Sequence, residues 1–115
     1  MSDNGLFLVF TNPVEGKERE FNEWYDTVHA PEVLAIPGIV SAQRFDVEIP
    51  AADPATDTPP AHRYLTVYEI DGDVDKIMST LAEAATSGSM KMSDSLDTSD
   101  AAISFWKPRG AKATS

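Results

Sequence analysis

Leu6 to Phe10 are five consecutive apolar residues, closed by Thr11, Asn12 and Pro13. A short run this rich in aromatic and branched side chains predicts a strand buried on both faces. From Lys17 the spacing changes. Phe21, Trp24, Tyr25 and Val28 recur at i, i+3, i+4 and i+7, the stripe of an amphipathic helix. Acidic residues crowd its first turns, where the helix dipole favours them. Pro31 is expected to push Ala30 out of helical angles and end the regular helix there. Residues 31 to 35 then add at most one short turn, and Pro37-Gly38 predicts a turn.

Residues 39 to 49 read as a second strand, with Ser41, Gln43, Phe45, Val47 and Ile49 on one side. Val40, Ala42, Arg44 and Asp46 fall on the other. Residues 50 to 61 hold four prolines and predict a loop. Residues 62 to 70 alternate again, His62, Tyr64, Thr66, Tyr68 and Ile70 against Arg63, Leu65, Val67 and Glu69. Val74, Ile77, Met78, Leu81 and Ala85 predict a second amphipathic helix, capped by Asp73 and ending near Gly88. Residues 89 to 100 are polar and irregular, residues 101 to 106 form a last strand, and residues 109 to 115 are expected to be a disordered tail.

The order β-α-β-β-α-β predicts an α+β, ferredoxin-like sandwich, a four-stranded antiparallel sheet with two helices on one face. One domain over residues 1 to 108 accounts for it. Helices cover one sheet face only, yet the first and third strands are apolar on both. A second copy laid on the open face would bury it, so a homodimer through the sheet is expected.

Charge and composition narrow the partners. The 115 residues carry a formal net charge of −10, which repels phosphate backbones and anionic membranes. Cysteine is absent, removing thiolate chemistry and disulfides. No leader or long apolar run is visible, so the expected location is cytoplasmic. With two histidines and no phosphate-binding glycine motif, neither a metal nor another cofactor is expected.

His29 is the first candidate for chemistry. It lies one turn after Tyr25, beside Asp26 and at the edge of the buried stripe. There an imidazole can face a cavity as general acid or base with Asp26 orienting it, or it can cap a helix C-terminus. Tyr64 and Tyr68 share one face of the third strand and are candidate proton or hydrogen-bond donors. Arg44, a lone cation among apolar neighbours, can hold an anionic oxygen or pair across the sheet with Glu69 or Asp46. Phe21, Trp24, Tyr25 and Phe105 are candidate pocket walls. A purely structural dimer would instead fill the space beneath His29 with Trp24, Met78 and Leu81.

Asn12-Pro13, Gly16, Glu20-Phe21, Trp24-Tyr25, His29, Pro31 and Pro37-Gly38 together resemble the EthD-like branch of the dimeric α+β barrel superfamily. Tyr64, Tyr68 and the Trp106-x-Pro ending add a looser likeness. The resemblance implies a two-fold barrel of two sheets, with a small-molecule pocket between sheet and helices of each protomer. Members and relatives include cofactor-independent monooxygenases, lactone isomerases, cyclases and dehydratases. A histidine and one or more tyrosines act there on a phenolic, enolic or lactone substrate. His29 matches the family histidine by position, whereas a second pocket histidine has no counterpart here. The function implied is cofactor-independent acid–base chemistry on a small apolar, aromatic or lactone-like metabolite. The rival is a small-ligand-binding accessory protein without catalysis.

Overall fold

A computed structural model describes residues 4–49 and 60–115. The expected loop over residues 50 to 61 therefore lies almost wholly outside the described residues. Four strands, β1 (Asn4–Thr11), β2 (Ile39–Asp46), β3 (Tyr64–Asp71) and β4 (Ala102–Trp106), form one antiparallel sheet in the order β2-β3-β1-β4. The alternation of β3 decides which side is covered. Tyr64, Thr66, Tyr68 and Ile70 are buried, while Leu65 and Val67 are half-exposed and Glu69 is exposed.

The helical layer covers the buried side. It consists of a run from Glu18 to Leu34 and of α3 (Val74–Ser87). Asp73 caps α3, its carboxylate accepting the Asp75 N–H at 2.9 Å, and Gly88 closes it in the left-handed conformation. Ile77 is buried, with Leu81 and Ala84 packed against the same core. Met78 is largely exposed and Ala85 exposed, so the inward stripe is narrower than the apolar spacing predicts. Gly38 is required at its turn. Its φ is +97°, and a Cβ there would stand 2.9 Å from the Ile77 side chain.

The first helix departs from expectation. It is not broken at Ala30, whose φ and ψ of −60° and −44° are helical. Instead α1 (Glu18–Trp24) passes into a π-helical turn, Tyr25–His29, and continues as α2 (Ala30–Leu34). The Ala30 N–H bonds the Tyr25 carbonyl, five residues back. A proline inside a regular helix clashes with the carbonyl four residues earlier. The wider turn carries that carbonyl out of the way of Pro31.

The layer between helices and sheet has two parts. Phe7, Val33, Ile36, Ile39, Tyr68, Ile70, Ile77 and Met90 form an apolar core. Phe21, Tyr25 and Tyr64 form a separate aromatic cluster, with Trp24, Ala30 and Leu96 against it. A register shift between Ile39 and Ser41 keeps Ile39 in the core and leaves Val40 exposed. On the far side of the sheet Leu6, Phe45 and Trp106 are exposed and Phe10 and Leu65 half-exposed. Residues 109–115 are exposed and without helix or strand. No helix among the described residues is long and apolar enough to cross a membrane.

Candidate functional site

The aromatic part of the layer holds most of the buried polar chemistry. Arg44 reaches from β2 beneath the first helix. Its Nη1 donates to Asp26 Oδ1 and its Nη2 to Asn22 Oδ1, both at 2.9 Å. The guanidinium carbon lies 4.6 Å from the Tyr25 ring centroid, 5.3 Å from Tyr64 and 5.6 Å from Phe21. Three ring faces and two side-chain acceptors thus fix one cation. Its Nε is buried and meets no partner among the described residues.

The π-turn places His29 against this group. Phe21, Tyr25, His29 and Val33 are spaced by four, and in a regular helix each step of four overshoots a full turn by about 40°. The wider turn absorbs the drift and keeps Phe21, Tyr25 and Val33 buried on one face. It also stacks His29 on Trp24, centroids 4.6 Å apart and planes at 20°. The Tyr25 ring meets the imidazole edge-on at 4.9 Å. His29 Nδ1 is buried with no hydrogen-bond partner among the described residues.

Beneath the helix, the Tyr25 and Tyr68 hydroxyls share a hydrogen bond of 3.3 Å. The Thr66 side chain, 1% exposed, is opposite Arg44 in the strand register, and its hydroxyl meets no partner at hydrogen-bonding geometry among the described residues. Tyr64 donates to Glu18 in a short hydrogen bond and accepts from Asn22 Nδ2 at 3.2 Å. Buried polar atoms are nearly always paired, so orphans gathered in one region call for an explanation.

Burial sets the protonation states. It pulls the His29 imidazole below its ordinary value, against the Glu32 carboxylate, which raises it. At neutral pH His29 is therefore an uncharged base. Burial pushes the Tyr68 and Tyr25 phenols above the ordinary phenolic value, so both remain protonated donors. Tyr64 is raised too, first by burial. Glu18 is held below the usual carboxylate range by its Tyr64 hydrogen bond and by Arg63.

His29, Tyr64, Tyr68, Phe21, Trp24, Tyr25 and Arg44 thus meet in one layer. Phe105 does not join them. It stacks on Phe7, 4.6 Å away and nearly parallel, within the apolar part, because its strand pairs at the far edge of β1. Asp26 binds Arg44 rather than orienting His29. Arg44 pairs with neither Glu69 nor Asp46, and Glu69 accepts from Ser41 on its own side. The run of helix through His29 excludes a C-terminal capping role. His62 turns away, bonding the Asp100 carbonyl at 2.6 Å and tilting against Phe10. Of the three side chains expected to fill the space beneath His29, Trp24 stacks on its ring, whereas Met78 is exposed and Leu81 packs on the apolar core. Asn22, Glu18 and Thr66 are additions. Asn22 lies three residues before Tyr25 on the helix and Glu18 four before Asn22, a signal for a shared flank.

No family model matches the sequence, and no curated protein matches it. Solved structures do match in shape. A candidate monooxygenase from Shewanella loihica superposes with a TM-score of 0.61 at 13% identity, covering 96% of this chain and 99% of that one. A protein of Arabidopsis thaliana gives 0.58 at 16%, covering 95% and 99%. An ethyl tert-butyl ether D (EthD) family protein of Bacillus halodurans gives 0.52 at 15%, covering 95% and 100%. The chain has the EthD-like α+β fold. Identity this low carries the fold across and leaves chemistry to the residues of this chain.

Proposed function

We propose that this chain is an EthD-like enzyme that transfers protons on a small, apolar, aromatic or lactone-like metabolite without a bound cofactor. The observation that carries the reading is a half-buried His29 whose Nδ1 is buried and has no partner among the described residues. It stands in the same layer as two protonated phenols and a caged guanidinium. His29 takes a proton from the substrate and becomes imidazolium. The negative charge left on a substrate oxygen is met by the Arg44 Nε–H and by a tyrosine hydroxyl. Phe21, Trp24 and Tyr25 supply apolar walls. Such a step can open an oxygenase, isomerase, cyclase or lyase reaction that uses no cofactor.

The far face of the sheet supports a homodimer. Its exposed Leu6, Phe45 and Trp106 offer apolar area that a second copy removes from water. Light scattering should return twice the 12.5 kDa of one chain, and a monomer at micromolar concentration would overturn this assembly.

The reaction is tested by screening phenols and lactones for turnover, then replacing His29 with Gln. Turnover should fall by about 100-fold or more in a protein that remains folded. In the parent protein kcat/KM should rise with pH through a midpoint below 6.5, the ordinary value for His29. Undiminished turnover in the variant sinks the assignment. Stabilisation by a ligand that emerges chemically unchanged favours a binding protein instead.

A further inference from the structure

A catalytic histidine is ordinarily aimed by a hydrogen bond to its second ring nitrogen. Neither ring nitrogen of His29 has a hydrogen bond among the described residues, and Nδ1 is buried, so its plane has to be set by another contact. That contact is the Trp24 ring, stacked on it.

The indole is itself held. Trp24 Nε1 donates to the Lys91 carbonyl at 2.7 Å. The N–H of the same residue is received by both Glu32 carboxylate oxygens at 3.1 Å. Lys91 is therefore gripped on both its backbone polar groups by side chains of the first helix that flank His29 in sequence. The segment carrying it is fixed on either side. Met90 is buried in the apolar core. Further on, the Ser95 carbonyl accepts the Val14 N–H at 2.7 Å and Leu96 packs on the aromatic cluster.

We propose that the backbone of Lys91, clamped between Trp24 and Glu32, sets the plane of the His29 imidazole, which makes Trp24 and Glu32 positioning residues for proton transfer. The role in proton transfer rests on the reading of His29 given above; the clamp can be tested without it. A guanidinium or carboxylate on Nδ1 would fix a ring by charge. Here an indole locked at its N–H fixes it by stacking, and leaves Nδ1 free. The titratable or charged groups that bear on the imidazole are Tyr25, by ring contact, and Glu32, by its charge.

Nuclear magnetic resonance of the full chain provides the test, reading the His29 titration, ring contacts between residues 24 and 29, and amide exchange at Lys91. In Glu32→Gln the side-chain oxygen still accepts the Lys91 N–H while the charge is gone, so the His29 midpoint should move further down. In Trp24→Phe a ring remains but the anchor is lost. The midpoint should then move up toward 6.5, the ring contacts should average out, and Lys91 should exchange at least ~10-fold faster. With a substrate in hand, kcat should fall more than KM rises. Unchanged titration, ring contacts and exchange in Trp24→Phe would overturn the proposal. Should that variant not fold, Glu32→Ala frees the Lys91 N–H, and unaltered ring contacts there would overturn it equally. Loss of turnover in His29→Gln beside an unmoved Trp24→Phe titration would retire the clamp and keep the proton-transfer reading. The reverse result would keep the clamp and retire that reading.

Discussion

One sheet face and one helical layer enclose two interiors built on different rules. Around Ile39, Ile70 and Ile77 the contacts are apolar, aliphatic side chains with the stacked rings of Phe7, Tyr68 and Phe105. Around Tyr25, Tyr64 and Arg44 the contacts are rings, a cation and hydroxyls, and four buried side-chain polar atoms, Thr11 Oγ1, His29 Nδ1, Arg44 Nε and Thr66 Oγ1, lack partners among the described residues. Strand β3 takes part in both, contributing Ile70 to the first and Tyr64 to the second. The difference teaches that stability and chemistry grade into each other along the strand, where Tyr68 stands in the apolar core and shares a hydrogen bond with Tyr25 of the other. An apolar interior holds the fold, and the polar one tolerates unpaired groups because the first supplies the surplus.

Truncation in the apolar interior should have the largest effect. Ile77→Ala removes a buried side chain that also packs on Gly38, and should cost about 2–5 kcal/mol in denaturant unfolding. Ligand-induced stabilisation of the remaining folded fraction should be unaltered. A loss of ligand response would show that the two interiors are coupled.

The hydroxyl pair comes next. Tyr68→Phe strands the Tyr25 hydroxyl in a buried place and should cost about 1–3 kcal/mol. Changing both tyrosines to Phe should recover most of that, since removing both partners is nearly neutral. A double variant as unstable as the sum would mean that other groups depend on these hydroxyls.

Thr66→Val should be near neutral or stabilising by up to ~1 kcal/mol, because a hydroxyl without a partner is exchanged for a methyl of the same shape. Destabilisation instead would reveal a bond to water or to a neighbour, and would remove Thr66 from the set of unpaired groups.

The smallest effect is in the acid range. The folded chain holds His29 below its ordinary 6.5, so below that pH the unfolded chain binds the proton more readily. Stability from this group is whole above pH 6.5 and is lost as pH falls through the folded value. His29→Gln should flatten that part of the melting-temperature profile. The tyrosines act in the opposite direction. Tyr25 and Tyr68 are raised above 10.0, so stability should fall as pH climbs past 10, and Tyr68→Phe should blunt the fall.

Much of this arrangement is legible in the residues. The alternation of β3 places Tyr64, Thr66 and Tyr68 correctly, because a two-residue period carries the face directly; the continuous run of β1 predicts burial on both faces, whereas within one chain Phe7 and Thr11 are buried and Leu6 is exposed. The helical stripe identifies Phe21 and Tyr25. The path of Arg44 is not legible. Its strand position shows which face it occupies, but Asn22 and Asp26 reach it from another element. Phe105 has the right face and the wrong strand, since strand order follows from pairing rather than from alternation. Pro31 misleads because its rule assumes a regular helix. The spacing of Phe21, Tyr25, His29 and Val33 by fours was the available sign that the helix is not regular there.

That π-turn has the character of a single inserted residue. With one residue fewer between them, Phe21 and Val33 would lie within about 20° of each other on a regular helix. Deleting exposed Thr27, with Pro31→Ala to remove the clash, should leave both ends of the helix seated on the sheet. His29 would then follow Trp24 by four residues instead of five, about 40° from it around a regular helix. Two codons therefore separate the wider turn from a regular one, and with them the five-residue from the four-residue spacing of Trp24 and His29, while the fold remains the same.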